Sequence, residues 1–590
     1  MSKLIRTFAE NNNRKMKKRI FTLSIILLCT TICIMAQDKK VTLHIIETSD
    51  VHGAFFPVDF FENKPLEGSM ARVSTYVNRL RQQHEGNVIL LDNGDILQGQ
   101  PTCYYNNYIK TDVKNVAAEV INYMRFDAET FGNHDVETGH AVYDKWIRDV
   151  ECPMLGANII DTATGKPYVA PYAVIERSGV RVAVIGMLTP AIPNWLNEAL
   201  WSGLRFEEMV SSARYWVNYV KEHEHPDLIC GLFHSGWDGG IATSHYDEDA
   251  SKKVAEQVEG FDIIFFGHDH TEHNVTTDRG VLCLDPSCNA IKVADATVEL
   301  TQQADGHWHV TKKEGRIVDI RREAIDEQFV RHFQPAIDSV KAYVDRRIGF
   351  FTRPIRTRDC FFGSAPFTDF IHNLQLKITG ADVSFNAPLS FDSSIEAGDV
   401  YVRDMFKLYR YENQIYVMRM TGEEIRKHLE MSYDLWVNTM QSPDDHIMLL
   451  SEAAQNDMQR YGFKNLTFNF DSAAGIDYEV DVTKPDGQKV HILRMSNGEP
   501  FDEARWYKVA LNSYRGNGGG ELLTRGAGIP KDSLNSRIIY MSELDQRYYL
   551  TQEIERLGTL TPEANNNWRF VPSAWAEPAL RRERKLIFGE

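Results

Sequence analysis

Five apolar runs in the first half of the chain each end in a short cluster of Asp, His, Asn and Gly. In order they read His44-Ile-Ile-Glu-Thr-Ser-Asp50-Val-His52-Gly, Val88-Ile-Leu-Leu-Asp-Asn-Gly-Asp95, Phe131-Gly-Asn133-His134-Asp135, Leu228-Ile-Cys-Gly-Leu-Phe-His234-Ser-Gly and Phe261-Asp-Ile-Ile-Phe-Phe-Gly-His268-Asp-His270. At least four of the runs are short, rich in Val, Ile, Leu and Phe, and closed by Gly, the pattern of buried strands. A polar cluster just past such a strand lies at the carboxyl edge of a sheet, where open α/β sheets keep their ligands. Carboxylate, imidazole and carboxamide oxygen are donors that hold hard and borderline divalent metals. One such cluster is most simply a capped turn; five in succession point to a convergent polar edge on a layered fold.

The start of the chain carries Lys17-Lys18-Arg19, an apolar stretch from Ile20 to Met35, and then Ala36-Gln37. That is the order of an export leader, for which Met16 is a more typical start than Met1. The apolar stretch is short of the roughly 20 residues of a bilayer span, and neither Cys29 nor Cys33 has the context of lipid attachment. The expectation is a leader over 1–36 and a periplasmic or extracellular protein with no stable membrane span after cleavage. The whole chain has 65 basic and 82 acidic residues, and 58 against 81 from residue 37 onward, a net −23. Such a surface argues against duplex nucleic acid as a partner, which needs basic patches. It leaves a small anionic substrate open, because bound metals invert the local field. Eight cysteines are too few for a disulfide scaffold. Cys283 and Cys288 are close enough in sequence to bridge, and the sequence leaves that pairing, like the oligomeric state, open.

From Val41 to about Ile317, strand-like runs such as Val180–Ile185 alternate with helical stretches such as Ala71–Gln83, Lys114–Met124, Val210–Glu222 and Ser251–Glu259. Alternation of this kind predicts an α/β domain. Residues 326–348 read as a connecting helix, with Pro335 marking a kink or a late start. A second unit with its own strands (Ile415–Met420, Tyr507–Leu511) and a helix (Gly422–Tyr433) runs to about Tyr548, and the residues after Thr551 have no evident place.

Asp50 and His52 are two apart, so on an extended strand they face one way and can share a metal; His268 and His270 repeat that spacing. Asp95 can bridge to a second ion, with Asn133 and His234 completing about eight contacts, the number a two-metal site with open positions requires. His134, beside Asn133, points into the cleft as a leaving-group acid or transition-state electrophile.

These motifs, Asp50-x-His52, Gly94-Asp95, Gly132-Asn133-His134-Asp135, His234 and Gly267-His268-Asp-His270, resemble those of the calcineurin-like metallophosphoesterases. With Leu408-Tyr-Arg-Tyr-Glu-Asn-Gln414, Met420-Thr-Gly-Glu-Glu and Asn512-Ser-Tyr-Arg-Gly-Asn-Gly-Gly-Gly520, the likeness extends to the 5′-nucleotidase / 2′,3′-cyclic-nucleotide phosphodiesterase family over nearly all of 41–548. The resemblance implies a four-layer α/β/β/α metallophosphoesterase domain over 37–325, the connecting helix over 326–348, an α+β nucleoside-binding domain over 349–550, and a tail, 551–590, of unassigned role. It implies two divalent ions (Zn, Mn or similar): Asp50, His52, Asp95 and His270 at one, and Asp95, Asn133, His234 and His268 at the other. His134 matches the family's catalytic histidine, and Glu137 stands where a shorter carboxylate or amide orients it; Asp135 stands where Glu is usual. Tyr411 and Tyr514 match aromatics that sandwich a nucleobase, and Asn413 matches a base-contacting position.

Departures from the strict 5′-nucleotidase pattern direct the substrate reading. Asn386-Ala-Pro-Leu-Ser390 lacks the family's phosphate-binding Arg, and Gly520 replaces an Asp that meets the ribose hydroxyls. A carboxylate there would repel a phosphate on that edge of the ribose, so its loss suits 2′,3′-cyclic and 3′-nucleotides. Arg353, Arg356 and Arg358 are the expected phosphate clamp. The reading is an exported two-metal phosphohydrolase, a 2′,3′-cyclic-nucleotide 2′-phosphodiesterase/3′-nucleotidase attacking phosphorus with metal-activated hydroxide. The alternatives are a 5′-nucleotidase/UDP-sugar hydrolase and a catalytically silent nucleoside-binding surface protein.

Overall fold

The computed structural model describes residues 13–18, 39–84, 86–303, 306–451 and 462–590. Apart from 13–18, the expected leader lies outside the described residues. No described helix is long and apolar enough to cross a membrane.

The first domain is built on two six-stranded sheets. One runs in the order Trp308–Asp319, Lys292–Gln302, Lys40–Thr48, Val88–Asp92, Ala128–Thr130, Met154–Leu155. The other runs His273–Thr276, Leu282–Asp285, Ile263–Phe266, Leu228–His234, Val180–Leu188, Tyr172–Arg177. Side chains alternate across a strand, and that alternation assigns the layers. Leu43, Ile45, Ile89 and Leu91 from the first sheet share one core with Val182, Val184, Cys230, Leu232, Ile263 and Phe265 from the second. The intervening Ile46 and Leu90 face outward onto helices Met70–Gln83 and Val116–Met124. Ala183, Ile185, Ile229, Phe233, Ile264 and Phe266 face helices Met209–His223 and Ser251–Gln257 on the opposite side. The result is the α/β/β/α arrangement, with runs apolar on both faces because both faces are covered.

The predicted connecting helix spans Glu327–Val344, with Asp326 as N-cap accepting from the backbone N–H of Gln328 and Phe329. It starts well before Pro335, so the proline marks no late start. Its stripe Phe329, Phe333, Ile337, Val340 and Val344 packs into the first domain's outer core, which makes the helix part of that domain's outer layer as well as a link.

The second domain centres on a five-stranded sheet in the order Ser472–Ala474, Val383–Asn386, Trp506–Asn512, Gln414–Thr421, Ile538–Asp545. Helix Gly422–Trp436 buries Ile425, Leu429, Tyr433 and Trp436 in its core. The residues after 551, unplaced by sequence, belong here. Thr559–Leu560 pairs with Arg347–Phe351, and Trp568–Val571 runs parallel to Ile476–Asp481. Helix Ser573–Phe588 contributes Ala576 and Ala579 to the same core as Trp568 and Phe570. Cys283 and Cys288 are both free.

Candidate active site

The loops after the strands are tied to one another before any ligand is considered. Asp50 N–H donates to Gly94 O at 3.0 Å and His52 N–H to Asp95 O at 2.9 Å, so the first two clusters lie side by side. Gly132 permits the third to close in: a Cβ there would sit 2.0 Å from Asp95 Oδ1. Gly94, at φ +82°, would place its Cβ 2.2 Å from Gly132 N. His234 is the last residue of its strand and pairs with Leu188. The strand before Asp50 stops at Thr48, so the expected shared strand face of Asp50 and His52 does not exist. Instead Asp50, His52, Asp95, His268 and His270 all have positive φ, from 48° to 83°. Asp, Asn and His tolerate this left-handed backbone better than most residues, and its cost of order 1–3 kcal/mol per residue is typical of functional sites.

All seven predicted metal donors converge, in two overlapping sets. Ligand atoms of Asp50, His52, Asp95 and His270 lie within 4.8 Å of one another. His270 Nε2 is 3.3 Å from Asp50 Oδ1 and 3.1 Å from His52 Nε2. In the second set, Asn133 Oδ1 lies 3.2 Å from His234 Nε2 and 2.8 Å from His268 Nδ1. Asp95 Oδ2 stands between the sets, 3.4 Å from His234 Nε2 and 3.9 Å from His52 Nε2. The outward ring nitrogens are already committed: His234 Nδ1 faces Asn93 O at 2.7 Å, and His52 Nδ1 faces Gln98 O at 3.3 Å. With N–H groups donated outward, the inward nitrogens present lone pairs to carboxylate and carboxamide oxygens. Asp50 Oδ1 is fully buried and has no hydrogen-bond donor. So many facing acceptors require protons or cations between them. The donor set fits two divalent ions sharing Asp95.

Without cations, protons take that role. Burial disfavours charge on His234, yet Asp95 and Asp50 push its pKa up to about 10. His270 rises to about 11, burial being overcome chiefly by the Asp50 carboxylate beside it. Burial raises Asp50 and Asp95, but the neighbouring imidazoles, His234 foremost, hold both below the usual carboxylate range. His52 goes the other way, lowered to about 4 by burial despite Asp95.

His134 sits on the short helix Asn133–Glu137, its N–H donating to Asp95 Oδ1 at 2.8 Å. Its Nδ1 is 2.6 Å from Glu137 Oε2, so the longer Glu side chain does reach the ring. Burial alone would lower its pKa; the charge of Asp95 and the Glu137 contact raise it to about 9. Asp135 has a different task. Its buried carboxylate accepts the backbone N–H groups of Asp95, Ile96, Leu97 and Gly132 at 2.8–3.0 Å, binding two ligand loops together.

Both domains line one cavity of about 970 Å³ that opens over the metal donors. From the first domain come Asn133, His134, Glu137, Trp195, His268 and His270; from the second come Arg410, Tyr411, Asn413, Phe468, Ser513 and Tyr514. Asn517 Nδ2 donates to Trp195 O at 3.2 Å, and Tyr104 OH to Asp545 Oδ2 at 2.8 Å, across the domain boundary. Tyr411, Asn413 and Tyr514 all line this cavity. Tyr514 meets Phe468 edge to face at 6.2 Å. The expected arginine clamp is not there. Arg358 is held by Asp392 and Glu590 over the ring of Phe588, Arg356 lies in the short strand Ile355–Arg356, and neither they nor Arg353 line the cavity. Arg410 is the one Lys or Arg among the described lining residues. It sits inside the Leu408-Tyr-Arg-Tyr motif and was legible there, whereas Trp195 and Phe468 belong to none of the motifs above.

At Gly520, φ is +68° and a Cβ would lie 2.1 Å from Asn469 Oδ1 and 2.3 Å from Arg515 Nη1. Arg515 is buried and pairs with Asp471 at 2.9 and 3.1 Å while donating to Phe468 O at 2.9 Å. An Asp at 520 would have to displace the Asn469 and Arg515 side chains.

Comparison with known proteins agrees with this layout. The calcineurin-like phosphoesterase model matches residues 43–272 and the 5′-nucleotidase C-terminal domain model matches 345–525. The chain is 27% identical, over 96% of its length, to the trifunctional nucleotide phosphoesterase protein YfkN of Bacillus subtilis, of which it spans 41%. It is 26% identical, over 95% of its length, to a 2′,3′-cyclic-nucleotide 2′-phosphodiesterase/3′-nucleotidase of Haemophilus influenzae, of which it spans 92%. A 5′-nucleotidase precursor from Thermus thermophilus shares the fold, with a TM-score of 0.60 at 19% identity, covering 90% of this chain and 99% of that one. The chain belongs to the family that joins a calcineurin-like phosphoesterase to a 5′-nucleotidase C-terminal domain, and is a metal-dependent phosphoester hydrolase.

Proposed function

We propose that this chain is an exported hydrolase of nucleotides that prefers 2′,3′-cyclic nucleotides and 3′-nucleotides. The observation that carries the reading is the single cavity joining the two-set metal cluster to Tyr411, Phe468 and Tyr514. Aromatic faces take a nucleobase with little regard to its identity, and Asn413 adds a carboxamide beside them. Gly520 supports the choice of phosphate position: it offers no carboxylate where the family pattern has the Asp that meets free ribose hydroxyls. Arg410 supplies the cation on the second-domain wall.

Asp50, His52, Asp95 and His270 would hold one divalent ion and Asp95, Asn133, His234 and His268 a second, and the pair would supply charge stabilisation of the phosphoryl group and a nucleophile at neutral pH. The chain's own residues do the rest. The aromatic pair fixes the base, the two-domain wall restricts water, and His134, protonated and oriented by Glu137, delivers a proton to the leaving oxygen. The relatives named for cyclic-nucleotide phosphodiesterase and 3′-nucleotidase activity support the same preference. The test is a substrate panel at equal metal loading. The kcat/KM for 2′,3′-cyclic AMP and 3′-AMP should exceed that for 5′-AMP; a clear preference for 5′-AMP overturns the assignment.

A further inference from the structure

The ring of His268 is also held from outside the five ligand clusters. A hairpin, Gly239–Ala242 with Asp247–Asp249, folds beside the second metal set and brings Glu248 Oε1 to 3.1 Å from His268 Nε2. The other oxygen of Glu248 accepts Ile241 N–H at 2.7 Å, and its backbone carbonyl accepts the hydroxyls of Thr189 and Ser235 at 2.9 and 2.7 Å. The residue is anchored through backbone and side chain alike, and only 15% of its side chain is exposed. Trp195 lies over the ring of His268 at 5.7 Å. The second ring nitrogen, Nδ1, faces Asn133 Oδ1 at 2.8 Å.

We propose that Glu248 is a positioning residue that holds His268 with its Nε2–H outward and its Nδ1 lone pair toward the second metal site. A ring that donates from Nε2 to a fixed carboxylate has one nitrogen left for a cation, and here it is the atom that meets Asn133. Carboxylate partners of this kind set the tautomer and raise the basicity of a ligating imidazole. Direct chelation by Glu248 and Asp249, whose donor atoms also lie within 4.8 Å of His268, is disfavoured by their existing hydrogen bonds: Asp249 Oδ1 accepts Gly236 N–H at 3.0 Å. The sequence gives no hint of this role, because Tyr246-Asp-Glu-Asp249 reads as a solvated charge run. The inference rests on the two-ion reading above.

The experiment loads the parent, Glu248→Ala and Glu248→Gln with Mn²⁺ or Zn²⁺, dialyses them against graded chelator, and counts metal per chain by plasma emission. The parent should hold two ions. Glu248→Ala should keep one at parental affinity and bind the other about 10–100-fold more weakly. Glu248→Gln, whose amide oxygen still accepts from Nε2, should fall between and serves if the Ala variant does not fold. Two ions at parental affinity in Glu248→Ala overturn the proposal, as does equal weakening of both ions in Glu248→Gln. A parent that binds fewer than two ions overturns the two-ion reading instead.

Discussion

Replacing Asp135 by Asn should cost stability out of proportion to so small a change. The carboxylate takes four backbone N–H groups, two on each oxygen: Ile96 and Leu97 on Oδ1, Asp95 and Gly132 on Oδ2. An amide turns one oxygen into an NH₂ that faces two donors. Two buried N–H groups then lose their acceptor, at about 1–3 kcal/mol each, so the loss is about 2–6 kcal/mol. One kcal/mol is about 2–4 °C in Tm for 150–250 residues, and the larger first domain takes the low end, giving a fall of roughly 4–12 °C in its transition. Calorimetry of the full chain in EDTA at pH 8 measures this without metal stabilisation. At that pH Asp135, pushed up to about 6 by burial and by the charge of Asp95, is ionised. A Tm within about 2 °C of the parent would refute the idea that this side chain ties the ligand loops together.

His134→Ala should lower kcat by roughly 10²–10⁴ while leaving metal content unchanged, measured by kinetics beside plasma emission. Against burial, the Glu137 carboxylate 2.6 Å from Nδ1 favours the cationic donor form of His134, which is lost as pH rises. The rate should therefore fall on the alkaline side, and Glu137→Gln should move that limb to lower pH in a kcat–pH profile. Tyr514→Ala or Tyr411→Ala should remove about 1–3 kcal/mol of stacking and raise KM roughly 5- to 150-fold, with a smaller effect on kcat. Metal uptake by the chelator-stripped protein should release protons at pH 7, since the His234 and His270 rings hold theirs up to about 10 and 11; titration calorimetry in two buffers of different ionisation enthalpy reads the number.

The first domain's α/β character and the convergence of seven donor residues were legible in continuous apolar runs that declare strands covered on both faces, each closed by a polar cluster, while the four layers came from the family resemblance. What the pattern could not supply was backbone conformation. Asp50 and His52 were expected to share a strand face, and left-handed turns bring their donor atoms together instead. The cavity's second wall was legible only in part. Tyr411 and Tyr514 sit in distinctive motifs, whereas Phe468 is placed by the buried Arg515–Asp471 pair, a long-range contact with no local signature. Arg358 looked like a free cation until Asp392 and Glu590, both distant in sequence, were found on it. The residues after 551 were opaque because their strands pair with partners far back in the chain.

Five of the seven donor residues occupy a conformation that branched side chains resist, and this restricts how the site can be retuned. Exchanging imidazole, carboxylate and carboxamide for one another leaves the path of the main chain undisturbed. Thr, Val or Ile would be rejected by the loops before any question of coordination arose. Adjustment of ion preference in such a scaffold falls to the neighbours of the donors, and those neighbours are where laboratory selection for a different cation should concentrate its substitutions.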